Sequence, residues 1–133
     1  MICLDTNILI RYLAQDDKKQ ASRANKLIDN EFNSGNPGFI TLISLVEIVW
    51  VLESCYSQTR KEVIEVLHSL LTTKQLVIEG ADMDDMAYLA LKRYAVGNAD
   101  YSDALITVIS ENQGCSSIVT FDKKGNSIGM KVL

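Results

Sequence analysis

A chain of 133 residues with 47% hydrophobic and 23% charged residues can bury a core, which excludes intrinsic disorder and sets the expectation of one domain over residues 1–133. The net charge of −4, from 13 basic and 17 acidic residues, excludes a protein that grips nucleic acid through bulk charge. It does not exclude binding that depends on metal, because two divalent cations would cancel that charge where they sit.

No apolar run approaches the ~20 residues that cross a bilayer. No basic segment followed by an apolar one opens the sequence, so no secretory leader is expected. Cys3, Cys55 and Cys115 are odd in number and lack C-x-x-C spacing. The expectation is a cytoplasmic protein with no membrane association, its cysteines small and mostly buried in a reducing compartment.

In chain order, Ile2 to Leu4 predicts a short buried strand running into Asp5-Thr6-Asn7. A helix follows from about Ile8 to Ala14, with Leu9, Ile10 and Leu13 on its apolar side. Asp17-Lys18-Lys19-Gln20 resembles a capping box opening a second helix, on which Ala21, Ala24, Leu27 and Ile28 recur at helical spacing. Asn33 to Gly38 is a turn, and Phe39 to Leu42 predicts a strand. The helix from Ser44 to about Tyr56 is apolar nearly all round, so it is expected to be buried between layers, with Trp50 and Tyr56 as packing residues.

Lys61 to Leu71 is amphipathic, and Leu76 to Ile78 predicts a strand. Asp84 to Ala95 and Ser102 to Asn112 read as helices, Ser117 to Phe121 and Met130 to Leu133 as strands. Short apolar strands alternating with helices predict a three-layer α/β/α domain with a central, mainly parallel sheet. Ligands in such folds bind beyond the carboxyl ends of the strands.

Four acids stand where apolar stretches meet turns or inside apolar helices: Asp5, Glu47, Asp103 and Asp122. A carboxylate beside a core is costly unless something pairs with it, and four at comparable points of successive α/β units suggest a shared divalent cation. Each also has an ordinary structural role open to it. Asp5 suits a helix N-cap. Ser44-x-x-Glu47 matches a capping box, although Ile43, Trp50, Val51 and Ser54 put Glu47 on a stripe expected to be buried. Asp100 can cap the next helix, leaving Asp103 in a first turn where the helix dipole favours an anion. Asp122 suits a turn.

The conjunction carries the functional reading. Oxygen donors suit hard cations such as Mg²⁺ or Mn²⁺. His68 is the lone histidine, and there is no Gly-rich phosphate loop, which argues against zinc hydrolases, histidine triads and P-loop enzymes. Arg11, one helical turn after Asn7, and Lys123 and Lys124 beside Asp122 are candidate contacts for a substrate phosphate.

Leu4-Asp5-Thr6-Asn7, Ser44-x-x-Glu47, Asp100-x-x-Asp103-Ala104-Leu105-Ile106 and Thr120-Phe121-Asp122, in that order along the whole chain, resemble the PIN-domain ribonucleases. The resemblance is greatest to the VapC-type toxins of toxin–antitoxin pairs. It implies an acidic quartet of Asp5, Glu47, Asp103 and Asp122 around Mg²⁺ or Mn²⁺, with Asp5 and Asp103 as metal ligands. Thr6, Asn7 and Thr120 would support the site through hydrogen bonds, and Asp100 is a further acid that many members share.

The resemblance further implies a metal-dependent endoribonuclease, an RNA substrate cut to 5′-phosphate and 3′-hydroxyl ends, and a cognate antitoxin protein. A homodimer is expected because apolar helix surface is generous for so small a domain. The alternative is a non-catalytic PIN-fold interaction module. A phospho-acceptor receiver fits poorly, since the mid-chain strand Leu76 to Ile78 runs into Glu79 and Gly80. A haloacid-dehalogenase phosphatase would need aspartate at Asn7.

Overall fold

The computed structural model describes residues 1–133. The elements are β1 (Ile2–Cys3), α1 (Thr6–Ala14), α2 (Lys18–Asn33), β2 (Gly38–Ile40), α3 (Leu42–Ser54), α4 (Arg60–Thr72), β3 (Leu76–Ile78), α5 (Met86–Val96), α6 (Tyr101–Asn112), β4 (Val119–Thr120), a 3-10 helix (Lys123–Ile128) and β5 (Lys131–Val132).

Every strand pair is parallel, as the alternation of strand and helix predicts. β2 lies between β1 and β3, with Ile2 opposite Gly38 and Gly38 opposite Leu76. β4 and β5 pair with each other in a separate two-stranded ladder, Val119 opposite Lys131. Each ladder has its own apolar support. Leu4, Ile40 and Ile78 join the main core with residues of α1 to α6, whereas Ala99, Ile128 and Met130 form a small core of their own.

Local chemistry sets the boundaries. Thr41 caps α3 by accepting from the Ser44 amide at 3.0 Å, so the strand before it stops at Ile40 and the helix begins at Leu42. The Glu79 carboxylate, just past β3, accepts a second amide of that helix end, from Leu42, at 2.9 Å. Glu47 therefore lies in the second turn, and the Ser44–Glu47 capping box that the spacing allows does not form. The full capping box is at Thr59 and Glu62, opening α4. Asp17 caps α2 through the Gln20 amide, but the Gln20 side chain turns instead to Arg11. Left-handed backbone at Asp84 and Asp85 delays α5 until Met86.

Two burial expectations are corrected. α3 buries Leu45, Ile48, Val49 and Leu52, but its other side is open: Ile43 is 71% and Trp50 65% exposed, and Glu47 between them is exposed. The stripe is real; its burial is not. One face of α3 is enough to fill the core, so the second apolar face has nothing within the chain to cover it. All three cysteines are free and exposed. Cys3 points away from the face that carries Leu4, Cys55 ends α3, and Cys115 follows the turn after α6.

Candidate metal centre

Asp5 and Asp122 each stand two residues past a strand, β1 and β4 respectively, and so beyond carboxyl ends of parallel strands. Asp5 is the N-cap residue of α1 by backbone conformation, yet its carboxylate makes no capping hydrogen bond, and it is exposed. Asp100 holds the same position on α6 and likewise makes none. Both carboxylates are thus left free by the helices they introduce. Asp122 differs: its carboxylate accepts from the Lys124 amide at 2.9 Å, and its own amide donates to Thr120 Oγ1 at 3.0 Å. It caps the 3-10 helix, the ordinary turn role open to it.

Asp103 is half-buried in the first turn of α6. Burial, then the Asp100 charge, push its carboxyl above the ordinary carboxylate range, opposed by the Asp100 backbone amide, with Asp122 adding to the rise. The structure therefore brings Asp100, Asp103 and Asp122 into one electrostatic neighbourhood. Glu47 shares a cleft of about 310 Å³ with Asp100, also lined by Trp50, Glu53, Tyr101 and Ser102. Asp5 is not among the residues lining that cleft. No three His, Cys, Asp or Glu side chains stand close enough together to form a coordination sphere.

The donor chemistry nonetheless suits a hard cation. The crowded groups are carboxylates, and a positive ion beside Asp103 would reverse the like-charge push on it. Thr6, next to Asp5, is buried with its Oγ1 unpartnered, a polar atom that the fold has not used. Asn7 is exposed and lines a second groove together with Arg11. Arg11 donates from Nε to Gln20 Oε1 at 2.6 Å and from Nη1 to Asp16 Oδ1 at 3.3 Å. Lys123 and Lys124 are exposed beside Asp122, and neither forms an ion pair.

Three residues near the site have no counterpart in the motifs. Arg60 donates from Nη1 to the Tyr94 carbonyl at 2.7 Å and from Nη2 to the Ala99 carbonyl at 3.0 Å, with its guanidinium 4.0 Å from the Tyr94 ring centroid. It thereby ties the start of α4 to the segment that delivers Asp100. The Tyr94 hydroxyl donates to Glu53 at 2.7 Å, linking α5 to α3 beneath the cleft. Only the Thr59-x-x-Glu62 box next to Arg60 is visible as a pattern, and it marks a helix start without indicating the clamp.

The sequence profile of the PIN domain matches residues 2–129. A VapC ribonuclease of Aquifex aeolicus (strain VF5) is 23% identical over 133 residues, which span 100% of this chain and 96% of that protein. The parallel α/β architecture agrees with the profile match, and the chain belongs to the PIN-domain family.

Proposed function

We propose that residues 1–133 form one nuclease domain that hydrolyses RNA phosphodiester bonds with Mg²⁺ or Mn²⁺, as the toxin of a toxin–antitoxin pair. The observation that carries the reading is the head of α6, where the half-buried Asp103 lies within reach of the charges of Asp100 and Asp122 in a PIN-family chain. The similarity to a VapC ribonuclease supports the choice of RNA and of an antitoxin partner.

In this reading Asp5 and Asp103 would hold the ion, with Thr6, Asn7, Asp100 and Thr120 supporting them. The ion when bound supplies charge stabilisation at the phosphate and a lowered pKa for attacking water. Glu47 or Asp122 would orient the attacking water or complete a second metal position, and Arg11, Lys123 and Lys124 would hold non-bridging phosphate oxygens. The products carry 5′-phosphate and 3′-hydroxyl ends. A homodimer built on the open face of α3, around Ile43 and Trp50, is the proposed assembly, and the cytoplasm the proposed compartment.

A second reading, a non-catalytic PIN-fold interaction module, is favoured by one observation: the acidic side chains do not stand as a ready coordination sphere. Cleavage of single-stranded RNA by purified protein separates the two. Activity is expected with Mg²⁺ or Mn²⁺, to stop with EDTA, and to be lost in Asp5→Asn and Asp103→Asn with circular dichroism unchanged. Cleavage that survives both substitutions would refute the metal site.

A further inference from the structure

The acids account for one side of the molecule's charge. The cations are distributed unevenly. Between Arg11 and Lys26 lie five basic residues, Arg11, Lys18, Lys19, Arg23 and Lys26, against two acidic ones, Asp16 and Asp17, in a chain whose net charge is −4. The whole molecule has two salt bridges, Arg11 with Asp16 and Arg93 with Glu111. Lys19, Arg23 and Lys26 are exposed, carry no ion pair, and recur at i, i+4 and i+7 on α2, so they form one continuous strip.

That strip borders a groove of about 430 Å³ between α1 and α2. Arg23 belongs to both. Asn7, two residues after Asp5 in the chain, also lines the groove, on the side of α1 that follows this candidate acid. Arg11 stands between and is already positioned: Gln20 and Asp16 hold two of its nitrogens, and the Tyr56 hydroxyl holds Asp16 at 2.7 Å. Its Nη2 makes no hydrogen bond within the chain, leaving a fixed donor for a further acceptor. Ile8, Ala24 and Leu27 supply an apolar wall among these polar groups.

We infer that this groove and the basic strip of α2 form the track for single-stranded RNA running away from the acidic centre, with Arg11, Arg23, Lys19 and Lys26 meeting successive phosphates and the Ile8–Leu27 wall receiving an unstacked base. The inference rests on the nuclease reading and deepens it. Three exposed, unpaired cations along one helix face raise the local concentration of a polyanion even when the net charge is negative. A wall of apolar side chains between phosphate contacts suits a single strand, whose bases are free to turn toward protein, over a duplex, whose bases are stacked away.

The test uses the full chain carrying Asp103→Asn, so that RNA is bound without being cut, and a fluorescein-labelled single-stranded RNA followed by anisotropy across a salt series. Adding Arg23→Glu and Lys26→Glu is expected to weaken binding by about tenfold or more. The slope of log affinity against log salt should fall by about 1.4, from two lost contacts at ~0.7 each on a single strand. In the chain with Asp103 intact, the same pair should raise KM and leave kcat unchanged. Arg23→Gln with Lys26→Gln, which removes charge without reversing it, should show the same loss of slope.

An unchanged affinity and slope would overturn the track, as would the absence of measurable RNA binding by the parent. Unchanged RNA affinity together with lost binding of a poly-glutamate peptide would also overturn it, and would assign the strip to an acidic protein segment. If EDTA and Asp5→Asn leave cleavage intact while the salt slope falls as expected, the metal reading fails and the track stands.

Discussion

Replacing Arg60 with methionine would keep the apolar stem and remove the guanidinium that fastens two carbonyls at once. Hydrogen bonds from a charged donor are worth ~1.5–3 kcal/mol each. Arg60 is only half-buried, so the low end applies to both its bonds, at 2.7 Å to Tyr94 and 3.0 Å to Ala99. Its stacking on the Tyr94 ring, 4.0 Å to the centroid, adds ~0.5 kcal/mol at such a site. The sum is about 3.5 kcal/mol, and for a chain of this size that is a Tm lowered by roughly 10–14 °C. Differential scanning calorimetry reads it directly.

Arg60→Lys keeps the charge but not the fork that spans two carbonyls, so it should recover less than half of the loss. Because Ala99 immediately precedes Asp100, the clamp also positions the head of α6. In the RNA cleavage assay kcat should fall more than KM rises, the mark of a positioning residue. A Tm within about 2 °C of the parent for Arg60→Met would refute the reasoning.

Three further outcomes are expected. Gly38→Ala would place a Cβ 2.6 Å from Leu4 Cδ1 and 3.2 Å from Leu76 Cδ2, in a strand between two others, where Leu4 is fully packed and cannot turn away. Such overpacking costs ~1–3 kcal/mol, and an unchanged urea midpoint would contradict it. Burial raises the hydroxyl pKa of Tyr101, and burial with the Glu53 carboxylate raises that of Tyr94. A raised folded pKa favours the protonated form, so this stability is fully present below the unfolded value of ~10 and is lost as pH rises above it. Tm should therefore decline above about pH 10, less steeply in Tyr101→Phe, and a slope identical in the two proteins would rule the account out. Trp50→Glu places a charge on the open face of α3, and sedimentation should report a monomer where the parent is a dimer; a parent that is already monomeric would remove the proposed assembly.

Local chemistry was legible in the residue order. Helical spacing identified most of the inner face of α2, since Ala21, Ala24 and Ile28 are buried while Leu27 at the same spacing is 40% exposed, and the amphipathic pattern of α4 buries Val63, Leu67 and Leu70. Strand and helix alternation indicated parallel pairing, and a crossover connection leaves little other choice. The four acids were also visible, because a charge next to an apolar run stands out without any knowledge of its neighbours.

The rest depended on partners distant in the chain. Glu47 and Trp50 lie on an apolar helix, and periodicity cannot tell a face that meets the core from one that awaits another molecule. Asp5, Asp100 and Asp122 all precede helical turns, yet only Asp122 spends its carboxylate on a cap, which depends on backbone and side-chain geometry rather than residue type. Arg60 reaches carbonyls 34 and 39 residues away, and no local pattern encodes a contact of that span. Residue types and spacing thus determined the elements and the candidate acids of this protein, because those follow from short-range sterics and solvation. Which faces stay open, which carboxylates stay free and what holds the head of α6 were decided by packing, because each depends on groups that meet only when the chain has folded.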